Sequence, residues 1–138
     1  MAIDNGRLKH LEIIQQVITR MANNSFLLKG WSVTLLSAIL AIAASKDGLH
    51  KVVWVGFLPL LTFWLLDGYF LRQERLFGKV WDRVGGRQNQ ETPTDFNMST
   101  EAVAQEVDSW PQVCLSRTLI VFHGALTVIL VLVLILIR

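Results

Sequence analysis

In the stretch "FWLLDGYFLRQERLF", residues 63–77, the aspartate Asp67 lies in the middle of an apolar part that ends at Leu71, before the charged residues Arg72, Glu74 and Arg75. Upstream this apolar part reaches Val52, so residues 52–71 hold 20 positions and a single charged side chain. A helix of that length is about 30 Å long, which matches the hydrocarbon core of a bilayer. An aspartate is costly there unless a partner neutralises it. The stretch therefore predicts a membrane-spanning helix and a partner for Asp67.

The composition of the whole chain supports the same class. Of the 138 residues, 52% are apolar and 17% are charged, and the mean hydropathy is +0.44. Soluble domains carry about 25% charged residues. We therefore expect an all-α integral membrane protein with three transmembrane helices, an N-terminal amphipathic helix and a short cytoplasmic helical element.

Two further apolar stretches complete the predicted domain organisation. Residues 26–45 contain one charge, Lys29, and residues 118–137 contain none, although they include His123. The expected order is an N-terminal amphipathic helix at 1–25, transmembrane helix 1 at 26–45, a periplasmic turn at 46–51, transmembrane helix 2 at 52–71, a cytoplasmic helical segment at 72–117 with a linker at 87–98, and transmembrane helix 3 at 118–138.

The distribution of Lys and Arg predicts the orientation. Nine of these residues lie on the side of the N-terminus and three on the side of the turn. The first group comprises Arg7, Lys9, Arg20, Arg72, Arg75, Lys79, Arg83, Arg87 and Arg117, with Lys29 just inside that face. The second comprises Lys46, Lys51 and Arg138. Because cytoplasmic segments carry the basic excess, we expect a bacterial inner-membrane protein with a cytoplasmic N-terminus and a periplasmic C-terminus.

Helical periodicity extends beyond the predicted spans. Residues 4–22 carry an apolar stripe of Leu11, Ile14, Ile18 and Met21, which fits a helix lying on the membrane surface or packing against a neighbouring subunit. The "NNS" at 23–25 either caps a new helix or forms a polar step in one long helix. The second span is expected to continue as one helix from 52 to 84, and a short helix is expected to begin at Ser99 or Thr100.

Three ionisable residues form a predicted intramembrane polar layer. Lys29, Asp67 and His123 each lie three to five residues inside the cytoplasmic end of their span, or about 5–8 Å deep. The short turn makes the first two spans neighbours, so a Lys29–Asp67 ion pair is geometrically reasonable. The layer fits a structural pair that fixes helix rotation, a polar lining of an aqueous path, or snorkelling and contact with another subunit.

A helix-packing seam is predicted on the first span. Small residues recur there at alternating spacings of four and three: Gly30, Thr34, Ser37, Ala41 and Ala44. In lipid, small residues let helix backbones approach closely and associate. The seam fits packing against the second span of the same chain, or against the same span of other copies in a homo-oligomer.

The sequence offers no constellation for catalysis. It contains no phosphate-binding, dinucleotide-binding or zinc-protease motif and no nucleophile elbow. The single cysteine, Cys114, excludes an intramolecular disulfide, and the three histidines lack metal-ligand spacing. A net charge of +2 is too small to indicate nucleic acid. We expect no enzyme activity, no catalytic residue, no cofactor, no metal site and no nucleic-acid partner.

Two segments carry a resemblance to known proteins. "ITRMANNSFLLKGWSVTLLSAI" (18–39) and "FWLLDGYFLRQERLF" (63–77) resemble stretches of small bacterial membrane proteins. The layout of a helical hairpin with cytoplasmic flanks, over residues 5–85, resembles the small two-span membrane effectors of anti-phage systems. The third span departs from that pattern. The resemblance implies membrane permeabilisation or ion conduction after an infection signal, and it carries over no individual functional residue.

Two functions from different classes are expected on these grounds. The first is a self-assembling protein that permeabilises or depolarises the bacterial inner membrane through an ion-conducting pore, as a stress or anti-phage defence effector. The second is a non-conducting anchor or scaffold that recruits a cytosolic partner through residues 73–113. The expected partners are the lipid bilayer, further copies of the chain, and a cytosolic protein or small-molecule signal.

Overall fold

The computed structural model describes residues 5–45, 50–86 and 97–137. Its elements are α1 (Asn5–Ser45), α2 (His50–Val55), α3 (Phe57–Gly86), a 3₁₀ helix (Glu101–Glu106), α4 (Trp110–Cys114) and α5 (Arg117–Ile137). No strand occurs within the described ranges. The chain is therefore all-helical there, as the sequence predicts.

Three helical segments are long and apolar enough to cross a membrane. They are Asn5–Ser45, Lys51–Gly86 and Arg117–Leu136. Only 17% to 28% of the most apolar window in each segment is buried inside the protein. Large apolar side chains such as Phe26, Leu58 and Val121 are at least 70% exposed. This apolar exterior indicates a membrane location.

Helix α1 runs without interruption through the "NNS" segment. It has 41 residues, or about 60 Å of helix, so residues 23–25 are a polar step in one long helix and not a cap. Ser25 is buried on the face that packs against the rest of the chain.

The predicted continuous helix over 52–84 is wrong at one position, Gly56, which lies in a turn between α2 and α3. Pro59 is the cause, because it has no N–H to bond the carbonyl of Val55, four residues earlier. The break places Pro59 in the first turn of α3, where an N–H is not needed. The predicted end at Gly85-Gly86 coincides with the last residues of α3.

Helix α3 lies between α1 and α5 and runs antiparallel to both. The hydrophobic cluster at the α2 end consists of Leu36, Ala43, Val53, Leu60, Leu126 and Leu130. All three predicted spans contribute to it. A Cβ at Gly56 would lie 3.1 Å from Leu130 Cδ1 and 3.4 Å from Leu36 Cδ1, so the close approach of the helices at this level depends on a glycine.

A second hydrophobic cluster forms at the opposite end of α3. Its buried members are Ile14, Leu76, Val80 and Val103. The N-terminal part of α1 therefore packs against α3 and the 3₁₀ helix of its own chain, and not only against a membrane surface or a neighbouring subunit. Arg7 strengthens this contact, because its Nε donates to the carbonyl oxygen of Val84 at 3.0 Å near the end of α3.

The segment before α5 is less regular than predicted. The expected short helix is split into a 3₁₀ helix and α4, and α4 begins with a capping box between Ser109 and Gln112. Charged side chains hold the segment on α3. Arg75 Nη1 lies 3.3 Å from Asp108 Oδ2, and Arg83 pairs with Glu106.

Some predicted features lie outside the described residues. These are the N-terminal residues 1–4, the turn at 46–49, most of the linker (87–96) and Arg138. The described chain resumes at α2, two residues before the predicted start of the second span, and at Asn97 after the linker.

Truncation of Ile14 tests whether α1 packs on its own chain beyond the apolar spans. Ile14 is fully buried, whereas Leu8 on the same helix is 42% exposed. We expect Ile14→Ala to destabilise the second cluster by about 2–5 kcal/mol. Amide hydrogen exchange should then accelerate in the 3₁₀ helix and at Leu76–Val84. Leu8→Ala is the matched control and should leave both unchanged. Equal exchange in the two variants would contradict the packing.

Candidate functional site

The carboxylate of Asp67 is the point at which the three apolar segments meet. Asp67 is fully buried on α3. From α1, Lys29 Nζ lies 2.6 Å from Oδ2 and 2.8 Å from Oδ1, and Ser25 Oγ donates to Oδ1. Lys29 Nζ also donates to Ser25 Oγ at 2.9 Å. The structure thus brings Lys29 and Asp67 into a direct ion pair.

The third predicted member of the layer, His123, reaches the same carboxylate from α5. Its Nε2 lies 3.0 Å from Asp67 Oδ2. Because a carboxylate only accepts hydrogen bonds, we assign the imidazole proton to Nε2. The ring is fully buried, stacked on Trp64 at 5.6 Å between centroids and met edge-on by Phe122 at 5.1 Å.

Charges within the cluster balance when the imidazole is neutral. Asp67 contributes one negative charge and Lys29 one positive charge. His123 Nδ1 is buried and has no hydrogen-bond partner among the described residues. Through its one buried carboxylate the cluster joins three helices.

Helix α4 covers the cluster from one side. Gly68 is buried, and a Cβ added there would clash with Cys114 Sγ. Trp64 Nε1 donates to the carbonyl oxygen of Cys114 at 2.8 Å, and Trp110 Nε1 donates to that of Leu65 at 3.2 Å. Burial raises the pKa of the Cys114 thiol, with a further contribution from the nearby carboxylate. The thiol is accordingly a packing group.

The order of contacts in the cluster differs from that of a nucleophilic triad. Ser25, Asp67 and His123 are all present, but the carboxylate stands between the hydroxyl and the imidazole. A serine nucleophile needs the imidazole itself as its hydrogen-bond partner. Within the described ranges no group of three His, Cys, Asp or Glu residues could hold a metal ion. The arrangement is suited to joining helices.

The small-residue seam lies apart from this cluster. Every member is exposed: Gly30, Thr34, Ser37, Ala41 and Ala44. A Cβ at Gly30 would meet nothing within 4 Å, and Thr34 Oγ1 donates back to the Gly30 carbonyl at 3.0 Å. Packing of the seam against the second span of the same chain is therefore not observed. The face of α1 that packs on α3 instead carries Ser25, Ser32, Leu36 and Ala43.

Ser25, Gly68 and Cys114 also belong to the site, and the sequence analysis did not place them there. It interpreted Ser25 as part of a cap or a polar step, and Cys114 only as a single cysteine. One signal for Ser25 was present, because it lies four residues before Lys29 and so shares its helix face. Nothing local in the sequence indicates that Gly68 faces Cys114, since the two are distant along the chain.

No protein-family model, curated protein or solved structure matches the chain. The class of protein is therefore argued from its own residues: an all-helical protein with three apolar helices joined by a buried polar cluster.

Proposed function

We propose that the chain is a bacterial inner-membrane protein with a cytoplasmic N-terminus and a periplasmic C-terminus, that it self-assembles, and that the assembly conducts ions or depolarises the membrane. The observation that carries the proposal is the exposure of all five seam residues on an apolar helix. Small side chains permit close helix approach, and a single chain leaves that surface without a partner.

The neighbouring residues of α1 define where the seam faces. Trp31, Leu35 and Ile42 are large, apolar and exposed, as expected for contact with lipid. By helix geometry the seam lies on the side of α1 roughly opposite the face packed on α3, with exposed apolar residues on both flanks. That position favours contact with α1 of further copies, in a closed ring with cyclic symmetry.

Under this proposal the seams form the contacts between the α1 helices of neighbouring copies, and the joined helices surround a central path. Gly30, Ala41 and Ala44 let the helix backbones approach, and Thr34 and Ser37 supply hydroxyl oxygens at the edge of the contact that faces the path. Hydroxyl oxygens suit the lining of an ion path. Asp67 does not line it, because it is fully buried and its charge is neutralised within one protomer. The layer at Asp67 instead fixes how the three helices of a protomer pack.

The cytoplasmic unit, formed by the N-terminal part of α1, the end of α3 and the 3₁₀ helix, is the proposed receiver of a stress or infection signal. The second hydrophobic cluster joins the N-terminal part of α1 to the end of α3 and to the 3₁₀ helix. Because α1 is one helix from Asn5 to Ser45, a displacement of its N-terminal part would be transmitted to the seam. This gives the cytoplasmic unit a rigid mechanical connection to the proposed path.

A matched pair of substitutions on α1 tests self-assembly. Ala41 belongs to the seam, whereas Ala38 is also exposed but lies among the lipid-facing residues. We expect Ala41→Leu to weaken association at least about tenfold, because the longer side chain separates the backbones. Ala38→Leu should keep the wild-type particle mass in native mass spectrometry. The proposal fails if the two variants behave alike or if the wild type is monomeric.

Conduction is tested on the same three proteins in vesicles. The assembled wild type and Ala38→Leu should collapse an imposed potassium gradient, and Ala41→Leu should not. The wild-type ring is also measured after proteolysis has removed its cytoplasmic unit. If the ring passes no potassium at any imposed potential, with or without that unit, the result contradicts conduction. Self-assembly would remain supported in that case.

The alternative function is a non-conducting scaffold that recruits a cytosolic partner through residues 73–113. One observation favours it. A cleft of about 280 Å³ lies between α3 and the segment before α4, and its lining carries both charge signs: Arg75, Gly78, Lys79, Asp82, Glu106, Val107 and Asp108. An impermeant assembly, together with stoichiometric co-purification of one protein that Lys79→Glu abolishes, would establish this alternative.

A further inference from the structure

A groove along one side of α5 lies apart from the seam and borders the polar cluster only at Phe122. It has a volume of about 570 Å³ and is lined by Arg117, Thr118, Val121, Phe122, Ala125 and Leu126. One end carries a guanidinium and a hydroxyl, and the remainder is apolar. All six lining residues lie on α5, so the groove is shallow and open along one side of the helix.

The length of the groove matches one leaflet of a bilayer. From Arg117 to Leu126 the helix rises about 14 Å, and half of a typical hydrocarbon core is about 15 Å. Arg117 begins α5, so in the proposed orientation it lies at the level of the cytoplasmic headgroups. An extended acyl chain would contact Val121, Phe122 and Ala125 over this distance.

The charge at the headgroup end is uncompensated. Arg117 is exposed, and no hydrogen bond or ion pair joins it to another residue in the described part of the chain. The positive end of the α5 dipole lies at the same place. The lining contains no carboxylate, so the ammonium group of a zwitterionic lipid would find no partner there. These features favour a headgroup with net negative charge.

We propose that this groove is a binding site for one anionic phospholipid, with the phosphate at Arg117 and one acyl chain along Val121, Phe122 and Ala125. The site depends on membrane insertion but not on conduction, so a non-conducting scaffold would retain it. A lipid held at this position would also cover the part of α5 adjacent to Phe122, whose ring lies 6.0 Å from Lys29 Nζ.

Lipid retention by the full chain tests the site. The protein is placed in bilayer nanodiscs of equal phosphatidylglycerol and phosphatidylcholine, released into the gas phase, and its bound lipids are identified by native mass spectrometry. The wild type should retain phosphatidylglycerol over phosphatidylcholine by about fivefold, the preference expected for one cationic side chain at a membrane surface.

Two variants and a control complete the test. Arg117→Gln should bring the retention ratio close to one, whereas Arg20→Gln removes an equal charge from an exposed site on α1 and should leave it unchanged. Ala125→Trp fills the groove and should lower retention of both lipids. The proposal is overturned if the wild type shows no preference, if Arg20→Gln lowers the ratio as much as Arg117→Gln, or if Ala125→Trp retains lipid like the wild type.

Discussion

Replacing Asp67 by Ala should destabilise the protein by about 3–5 kcal/mol, the range for breaking a buried ion pair by removing one partner. The substitution leaves the Lys29 ammonium, which is 20% exposed, without its counter-charge. It also leaves Ser25 Oγ and His123 Nε2 without their acceptor. The midpoint of thermal unfolding in detergent, followed by circular dichroism, should fall accordingly.

Two further variants separate the ion pair from a general effect of removing charge. Asp82→Asn changes an exposed carboxylate on the same helix and should shift stability by less than about 0.5 kcal/mol. Lys29→Met combined with Asp67→Leu removes both charges and should recover much of the lost stability, because an apolar pair can replace a buried ion pair. Wild-type stability in Asp67→Ala would show that the carboxylate does not hold the helices together.

Gly68→Ala is the second substitution with a large expected effect. The new Cβ would clash with Cys114 Sγ and lie 3.4 Å from Cys114 Cα, so the Cys114 side chain must rotate or α4 must shift away from α3. We expect a loss of about 1–3 kcal/mol from overpacking. We also expect faster hydrogen exchange at α4, because the displacement weakens the hydrogen bond from Trp64 Nε1 to the Cys114 carbonyl.

Gly78 on the same helix provides the matched control. A Cβ there meets nothing within 4 Å, so Gly78→Ala should stabilise the helix by about 0.5–1 kcal/mol. Adding Cys114→Ala to Gly68→Ala removes the sulfur that clashes and should restore part of the lost stability. Equal behaviour of Gly68→Ala and Gly78→Ala would mean that α4 does not pack closely on α3.

The sequence predicts the helical class and the three long apolar helices well because each depends on local properties. An apolar run of 20 residues can be recognised from the sequence alone. The short connection between two such runs places the two helices next to each other. The grouping of Lys29, Asp67 and His123 at one depth follows from counting residues along helices. The break at Gly56 was missed because Pro59 interrupts hydrogen bonding without ending the apolar pattern.

Features that depend on helix rotation were not predictable in the same way. The seam from Gly30 to Ala44 is visible as a pattern, but whether it faces α3 or the exterior depends on tertiary packing. Likewise, the stripe containing Ile14 shows that one face is apolar without showing what covers it. The contact between Gly68 and Cys114 joins distant positions, and no local pattern encodes it.

Electron cryomicroscopy of the wild-type particle in nanodiscs tests the central claim most directly. We expect a closed cyclic ring in which the α1 helices of neighbouring copies meet at their seams, while Asp67, paired with Lys29, lies inside each protomer. A monomer whose seam faces lipid would contradict self-assembly, and a ring with Asp67 on its axis would contradict the role assigned to the buried pair.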